Sequence, residues 1–301
     1  MPQEMIVLAL MDGLSQAAVL FLVALGMTLV FGVMNIVNMA HGSFYALGGY
    51  MAASLGLWAS AHGASPAWSL LILPLAAIII GCVFGGLMET TLMQRIYQKD
   101  PILQLLITFS AFMIFEDCQR LVWGTQPYFV SDIVNYLGTI DVLGITYTRY
   151  QLLLLPGIAL TVFVALRSFL KFSSMGRQIV AVSHHREMST ALGINVRRIS
   201  LLTFVVSAVL GALAGALASP TVSWVPGIGG EMIVLSFAVV ATAGLGQIEG
   251  ALVAALLIGL ARSFTVYLLP EIEVLVPFLI MVLVLLFRPQ GLFSVAQARR
   301  V

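Results

Sequence analysis

From Leu201 to Ser219 the sequence carries no charged residue, and from Leu252 to Leu269 it carries only Arg262. A helix of about 20 apolar residues crosses the roughly 30 Å of hydrocarbon in a bilayer, so each run is long enough to span. In water, helices of this kind need a polar shell around them. The chain has no material for one. Hydrophobic residues make up 60% of it and charged residues 9%, whereas a soluble domain carries about 25% charged residues. Hydrocarbon also offers backbone N–H and C=O groups no partner, and a helix satisfies them within its own segment. The expected fold is an all-α, polytopic membrane helix bundle.

About 8 to 9 hydrophobic segments are legible, near residues 6–33, 42–59, 68–93, 102–122, 150–170, 199–218, 231–245, 250–269 and 274–287. The second is rich in glycine and is expected to break or re-enter the membrane. No boundary divides the chain, so residues 1–301 read as a single transmembrane domain with an internal pseudo-repeat. The N-terminus has neither the basic region nor the small-residue cleavage site of a signal peptide, and its first run is expected to be a retained span. Polar residues around 123–149 form one connection, where alternation near Ile140–Thr148 predicts a small ordered cap. Cys82 and Cys118 lie inside apolar segments and are expected to be buried packing residues; two thiols make no disulfide framework.

The basic residues are distributed unevenly. With odd spans running one way and even spans the other, Arg95, Lys99, Arg167, Lys171, Arg177, Arg186, Arg197, Arg198, Arg288, Arg299 and Arg300 gather at one side. Arg120 and Arg149 lie at the other. Lysine and arginine mark cytoplasmic loops, so the N-terminus is expected outside and the C-terminus in the cytoplasm. The net charge of +1 points to no nucleic-acid partner.

The longest cytoplasmic connection, about residues 172–198, reads as short amphipathic helices. Ser183 is expected to cap one start and Gly193 to stop one, with Met188, Ala191 and Leu192 on an apolar face. This is the pattern of a segment that docks a partner. His184 and His185 are adjacent, so a helix points them about 100° apart with no third ligand near, and no metal site is expected.

Two polar, glycine-containing breaks interrupt the apolar runs. The first places Asn35, Asn38, His41 and Ser43 beside long apolar stretches. The second does the same for Thr242, Gln247 and Glu249. Irregular backbone at membrane depth survives only when it is packed in protein or lines a cavity, so both breaks are candidates for a substrate path. Asn35 and Asn38, three apart, are expected on one helix face. The competing reading is that these residues cap helix ends and bond to neighbouring helices. His41 beside Gly42 fits that structural role better than proton carriage. Glu89 is expected to reach the interface, and Glu116 with Arg120 to form an i,i+4 pair. Arg262 has no local partner in the sequence; Glu116 or Asp117 across the bundle is the candidate. Gly211 and Gly215 form a G-x-x-x-G that permits close helix packing, within the chain or against a partner.

Catalytic chemistry finds no support. No H-E-x-x-H, paired intramembrane aspartates or Ser/His arrangement occurs. A phosphate-binding P-loop ends in Gly-Lys-Ser or Gly-Lys-Thr, and neither Lys99 nor Lys171 follows glycine. The chain has no such loop for ATP.

Several of these segments resemble the permeases of ABC importers, most closely the branched-chain amino acid type of the LivH-like kind. The resemblance rests on Gly176-Arg177-Gln178-Ile179-Val180-Ala181-Val182 with Ala191-Leu192-Gly193-Ile194-Asn195. It extends to Gly26 through Gly42, Glu89 through Pro101, Gly244 through Ala251, and Phe287-Arg288-Pro289-Gln290-Gly291-Leu292-Phe293. It runs in order over nearly the whole chain. It implies a bacterial inner-membrane subunit paired with a second, different, LivM-like permease. Two ATPase subunits would hold ATP and Mg, and this chain would hold no cofactor. A periplasmic binding protein would deliver a branched-chain amino acid or a related small polar solute; relatives carry urea, short amides and small organic acids. The residues implied in docking the ATPase are Ser183, Arg186, Glu187, Ala191, Gly193 and Asn195, and the path is assigned to Asn35, Asn38, His41, Ser43, Thr242 and Gln247. The alternative class is a stand-alone secondary transporter or channel, which needs buried ionisable residues. Only Glu116, Asp117 and Arg262 qualify.

Overall fold

The computed structural model describes residues 3–293; Arg299 and Arg300 lie outside the described residues. In chain order the helices are α1 (Gln3–Met34), α2 (His41–Ala61), α3 (Pro66–Ile96), α4 (Pro101–Trp123), α5 (Asp132–Leu137) and, after a hairpin, α6 (Tyr150–Phe172). Two short helices follow, α7 (Ser174–His184) and α8 (Arg186–Ala191). The chain continues with α9 (Val196–Ala218), α10 (Ile228–Ala243), α11 (Ile248–Leu268) and α12 (Val276–Phe287). Six of these are long and apolar enough to cross a membrane, and α10 and α12 are shorter apolar helices. With the glycine-rich α2 they make nine hydrophobic segments among the described residues. The chain is an integral membrane protein built as a helix bundle.

One departure from an all-helical fold is the hairpin of β1 (Thr139–Val142) and β2 (Ile145–Thr148), antiparallel with Thr139 opposite Thr148. It sits where the alternation near Ile140–Thr148 predicts a cap. Gly144, at φ +84°, closes its turn. Tyr128, before α5, pairs as an antiparallel bridge with Trp224, after α9. Trp224 is fully buried, within 5.2 Å of the Tyr45 ring and 5.9 Å of Tyr50. The two connections at this end of the bundle are thus one unit.

Small residues set the core. α1 packs along α11, and α9 lies between α1, α2 and α3. Added Cβ atoms at Gly48 and Gly215 would strike the Ala212 and Tyr45 backbone, and one at Gly211 would fall 3.0 Å from the His41 ring. The Gly211–Gly215 motif is therefore used within the chain, against α2. Side-chain hydroxyls stitch the contacts: Ser207 donates to the Gly26 carbonyl at 2.8 Å and Ser263 to Ala9 at 2.8 Å. Such bonds are favoured where hydrocarbon supplies no alternative partner.

Three expectations are corrected by the fold. α2 is a continuous, buried helix, and the irregular backbone precedes it at residues 35–40; glycine here serves close packing rather than breakage. Cys82 and Cys118 are exposed on the outer faces of α3 and α4, because lipid solvates an apolar outer face as readily as protein does. Arg262 pairs with Glu273 at 3.1 Å, a carboxylate in the connection after its own helix, so Glu116 and Asp117 do not serve it. Those two instead flank Arg120, at 2.5 and 3.4 Å, the pairing that the i,i+4 spacing anticipates.

Candidate translocation path and coupling surface

The first break re-enters the bundle. α1 ends at Asn35, which takes φ +54° while its N–H donates to the Phe31 carbonyl at 2.8 Å. Asparagine tolerates this left-handed conformation and so ends the helix. Residues 35–40 then run back along α1 without helical structure. α2 starts where the His41 ring Nε2 donates to the Val23 carbonyl at 3.1 Å. Val23 lies eleven residues before Met34, so α2 begins about 16 Å back along the axis of α1 at 1.5 Å per residue. The break is packed in protein, as the membrane requires. Asn38 holds its turn by accepting from the Ala40 N–H at 3.0 Å.

The second break joins α10 to α11 through Gly244 (φ +101°) and Gly246 (φ +82°). Both conformations favour glycine. Gly246 lies against Gly32 of α1, where a Cβ would come within 3.2 Å of the Gly32 Cα, so the second break rests backbone to backbone on the last turn of α1, just before the first break. The segment after α12 clasps the same place: Leu292 and Phe293 N–H groups donate to the Thr242 and Ala243 carbonyls at 2.9 and 3.0 Å. These bonds satisfy the free carbonyls at the end of α10.

A cavity of about 1060 Å³ opens where these parts converge. Asn35 from the first break, Gln247 from the second, Ser183 and Arg186 from the 172–198 segment, and Gln290 from the C-terminal clasp all line it. Of the path residues read from the sequence, the structure brings Asn35 and Gln247 together here. Asn38, His41, Ser43 and Thr242 are buried in helix packing instead. Asn35 and Asn38 do not share a helix face, because residues 35–38 are not helical; the first is exposed and the second is buried.

The 172–198 segment is helical, with different caps from those expected. Ser173, not Ser183, caps α7 by accepting from the Gly176 N–H at 2.8 Å. Ser183 lies in the last turn and donates to the Val180 carbonyl at 2.8 Å. Gly193, at φ +82°, follows the end of α8 as the stop the sequence predicts. Asn195 caps α9, accepting from the Arg198 N–H at 3.1 Å. Ser183, Arg186, Glu187, Ala191, Gly193 and Asn195 are all exposed. Beside them Met188 and Leu192 present bare apolar side chains, 63% and 77% exposed. No group of three or more His, Cys, Asp or Glu gathers among the described residues.

A connection that the sequence reading missed joins α8 to α3. Glu89, expected at the interface, is fully buried on a π-helical turn, Glu89–Met93. The Tyr97 hydroxyl donates to it, and the Arg186 guanidinium lies 5.0 Å from the centre of the Tyr97 ring. Arg197 adds a bond from its Nε to Gln94 Oε1 at 2.7 Å. The available signal was the spacing of Glu89 and Tyr97, two turns apart across the end of α3, close to Arg95 and Lys99.

A multi-spanning bundle whose helix breaks border a cavity beside an exposed, basic helical segment has the architecture of a membrane permease. The chain belongs to the family described as "Branched-chain amino acid transport system / permease component", which matches residues 9–285. It is similar to the high-affinity branched-chain amino acid transport system permease protein LivH of Salmonella typhimurium, 26% identical with 96% of each chain covered. It is likewise similar to BraD of Pseudomonas aeruginosa, described in the same terms, 28% identical over 97% of each. The ribose import permease protein RbsC of Haemophilus influenzae is 27% identical, covering 83% of this chain and 75% of that one. No solved structure matches.

Proposed function

We propose that this chain is the translocating subunit of an ATP-driven importer in a bacterial inner membrane, carrying a branched-chain amino acid delivered by a periplasmic binding protein. It works beside a second permease chain and two ATPase subunits that bind ATP and Mg. The single observation that carries this reading is the shared cavity. One hollow is walled by Asn35 and Gln247 of the breaks and by Ser183 and Arg186 of the exposed segment, so a push on that segment reaches the hollow that both breaks border. Arg186 also bears on α3 through Tyr97 and Glu89. The mechanism is alternating access. A closed ATPase pair presses Met188 and Leu192, α7 and α8 shift, and α3 and the two breaks rock around the cavity. At the other end, the unit joining Tyr128 to Trp224 supports a landing surface for the binding protein.

The names of the relatives support a branched-chain amino acid, and the ribose permease among them keeps other small polar solutes as the second choice. The test is reconstitution of the complete complex in liposomes with its binding protein and labelled leucine. Uptake should require ATP inside and the binding protein outside, and leucine should stimulate ATP hydrolysis. Uptake by this chain alone, without ATP, would instead establish a stand-alone transporter.

A further inference from the structure

The last turns of α6 carry Arg167 and Lys171, four residues apart on one face. The exposed side of the same helix is apolar, with Leu160, Val164, Phe169 and Phe172 uncovered. The cations therefore stand where a lipid-facing surface ends. At Ser173 the backbone turns extended (φ −80°, ψ 151°) and α7 departs, which brings Arg177 to the same place; its Nη1 donates to the Phe172 carbonyl at 2.9 Å. The facing wall is the start of α11, from Gly246 to Glu249, and together they enclose a hollow of about 510 Å³. No side chain caps α11. Its first-turn N–H groups keep donor capacity, and the helix dipole adds positive potential there.

Three cations and a helix start are opposed by one carboxylate. Glu249 is 3.5 Å from Arg167, with both side chains more than half exposed, a weak pairing in water. A general excess of basic residues at one side orients a membrane protein, but it does not require three of them to converge on a single hollow. We propose that this hollow binds the phosphate of an anionic phospholipid headgroup, with the acyl chains lying against the apolar face of α6. Basic pockets between spanning helices at a membrane surface suit such headgroups. Docking of a protein subunit is the weaker reading. α8, with the exposed apolar Met188 and Leu192, contributes nothing to the lining, and the Lys171 ammonium lies 5.3 Å from the exposed ring of Phe172, at the edge of the lipid-facing surface.

The experiment uses the purified complex in nanodiscs of phosphatidylcholine with or without phosphatidylglycerol, and reads by native mass spectrometry the lipid that stays bound. Wild-type protein should retain phosphatidylglycerol over phosphatidylcholine. Each interfacial cation is worth about fivefold in affinity for an anionic surface, so R167Q/K171Q/R177Q should lower that retention by at least about tenfold. E249Q should raise it by up to about fivefold, a gain that misfolding does not imitate. R198Q, outside the hollow, should leave it unchanged. Equal retention of the two lipids, or no gain in E249Q, overturns the proposal. With inorganic phosphate added to the same samples, a retained phosphate adduct that R167Q/K171Q/R177Q loses, with no preference between lipids, makes this a soluble-phosphate site and also overturns it. Loss of the ATPase subunits from the triple variant with lipid retention intact assigns the cluster to a protein partner. None of these readouts depends on transport, so the lipid site and the transport reading fail separately.

Discussion

Polar side chains beside the breaks fall into two kinds, and substitution separates them. Asn35 and Gln247 face the cavity, whereas His41 is enclosed between Gly26 and Gly211 and holds the Val23 carbonyl. Replacing Gln247 by alanine, or Asn35 by glycine, which keeps the left-handed φ of +54° without strain, should leave the yield and melting temperature of the complex near wild type while lowering the initial rate of ATP-driven uptake several-fold. His41→Ala should do the reverse at the level of folding. It opens a hole between three helices and removes their hydrogen bond, at a cost of about 2–4 kcal/mol, read as a lower melting temperature. Unchanged uptake in both cavity variants would remove them from the path. The sequence marks all of these as polar residues in an apolar setting, and that much is legible. What sorts them is not. The three-residue spacing of Asn35 and Asn38 implies a shared face only on a helix. The αL conformation of Asn35 ends the helix between them, a choice made by how the chain must fold back along α1.

At the scale of elements, the proposed mechanism makes α8 the exposed end of a lever. Its side chains reach outward through Met188 and Leu192 and inward through Arg186 onto Tyr97 and Glu89. The outward contact predicts that Met188→Asp, a charge placed in an apolar docking surface, loses most of the ATPase subunits on co-purification. The inward contact predicts a different defect. Arg186→Ala should keep the ATPase subunits bound yet reduce substrate-stimulated ATP hydrolysis several-fold, because the cation–π contact is lost while the exposed apolar surface remains. If Arg186→Ala hydrolyses ATP and transports as wild type does, α8 does not act through α3. Most spans are legible from their apolar runs because the bilayer demands length and hydrophobicity, and both are local properties. The stop at Gly193 and the hairpin after α5 follow from equally local turn chemistry. The full burial of Glu89 and the clasp of Leu292 and Phe293 over α10 depend on packing partners distant in sequence; the capping of α7 by Ser173 is a local contact with Gly176, and it is preferred to Ser183 because α6 ends at Phe172 and α7 begins at Ser174.

For the whole molecule, the two ends of the bundle differ in a way that predicts how it sits in the membrane. One end carries the hairpin and the aromatic unit around Trp224. The other gathers Arg95, Arg186 and Arg197 around a single hollow, with Lys171 and Arg177 around a second. Basic residues stay in the cytoplasm during insertion, so the hairpin end should face outside. Two exposed residues report the two sides: Leu143 at the hairpin turn, 83% exposed, and Leu192 after α8, 77% exposed. The native thiols come first, since Cys82 and Cys118 are themselves exposed on the bundle surface, and both are replaced by alanine. In intact spheroplasts a membrane-impermeant maleimide should then label Leu143→Cys at once and Leu192→Cys only after permeabilisation. The strain at Leu143 (φ +53°) is the same for leucine and cysteine, so the first substitution does not disturb the turn. Labelling of Leu192→Cys from outside, with Leu143→Cys protected, would invert the protein. It would also place α8 on the wrong side of the membrane for an ATP-driven partner, so this measurement bears on orientation and on the route of coupling together.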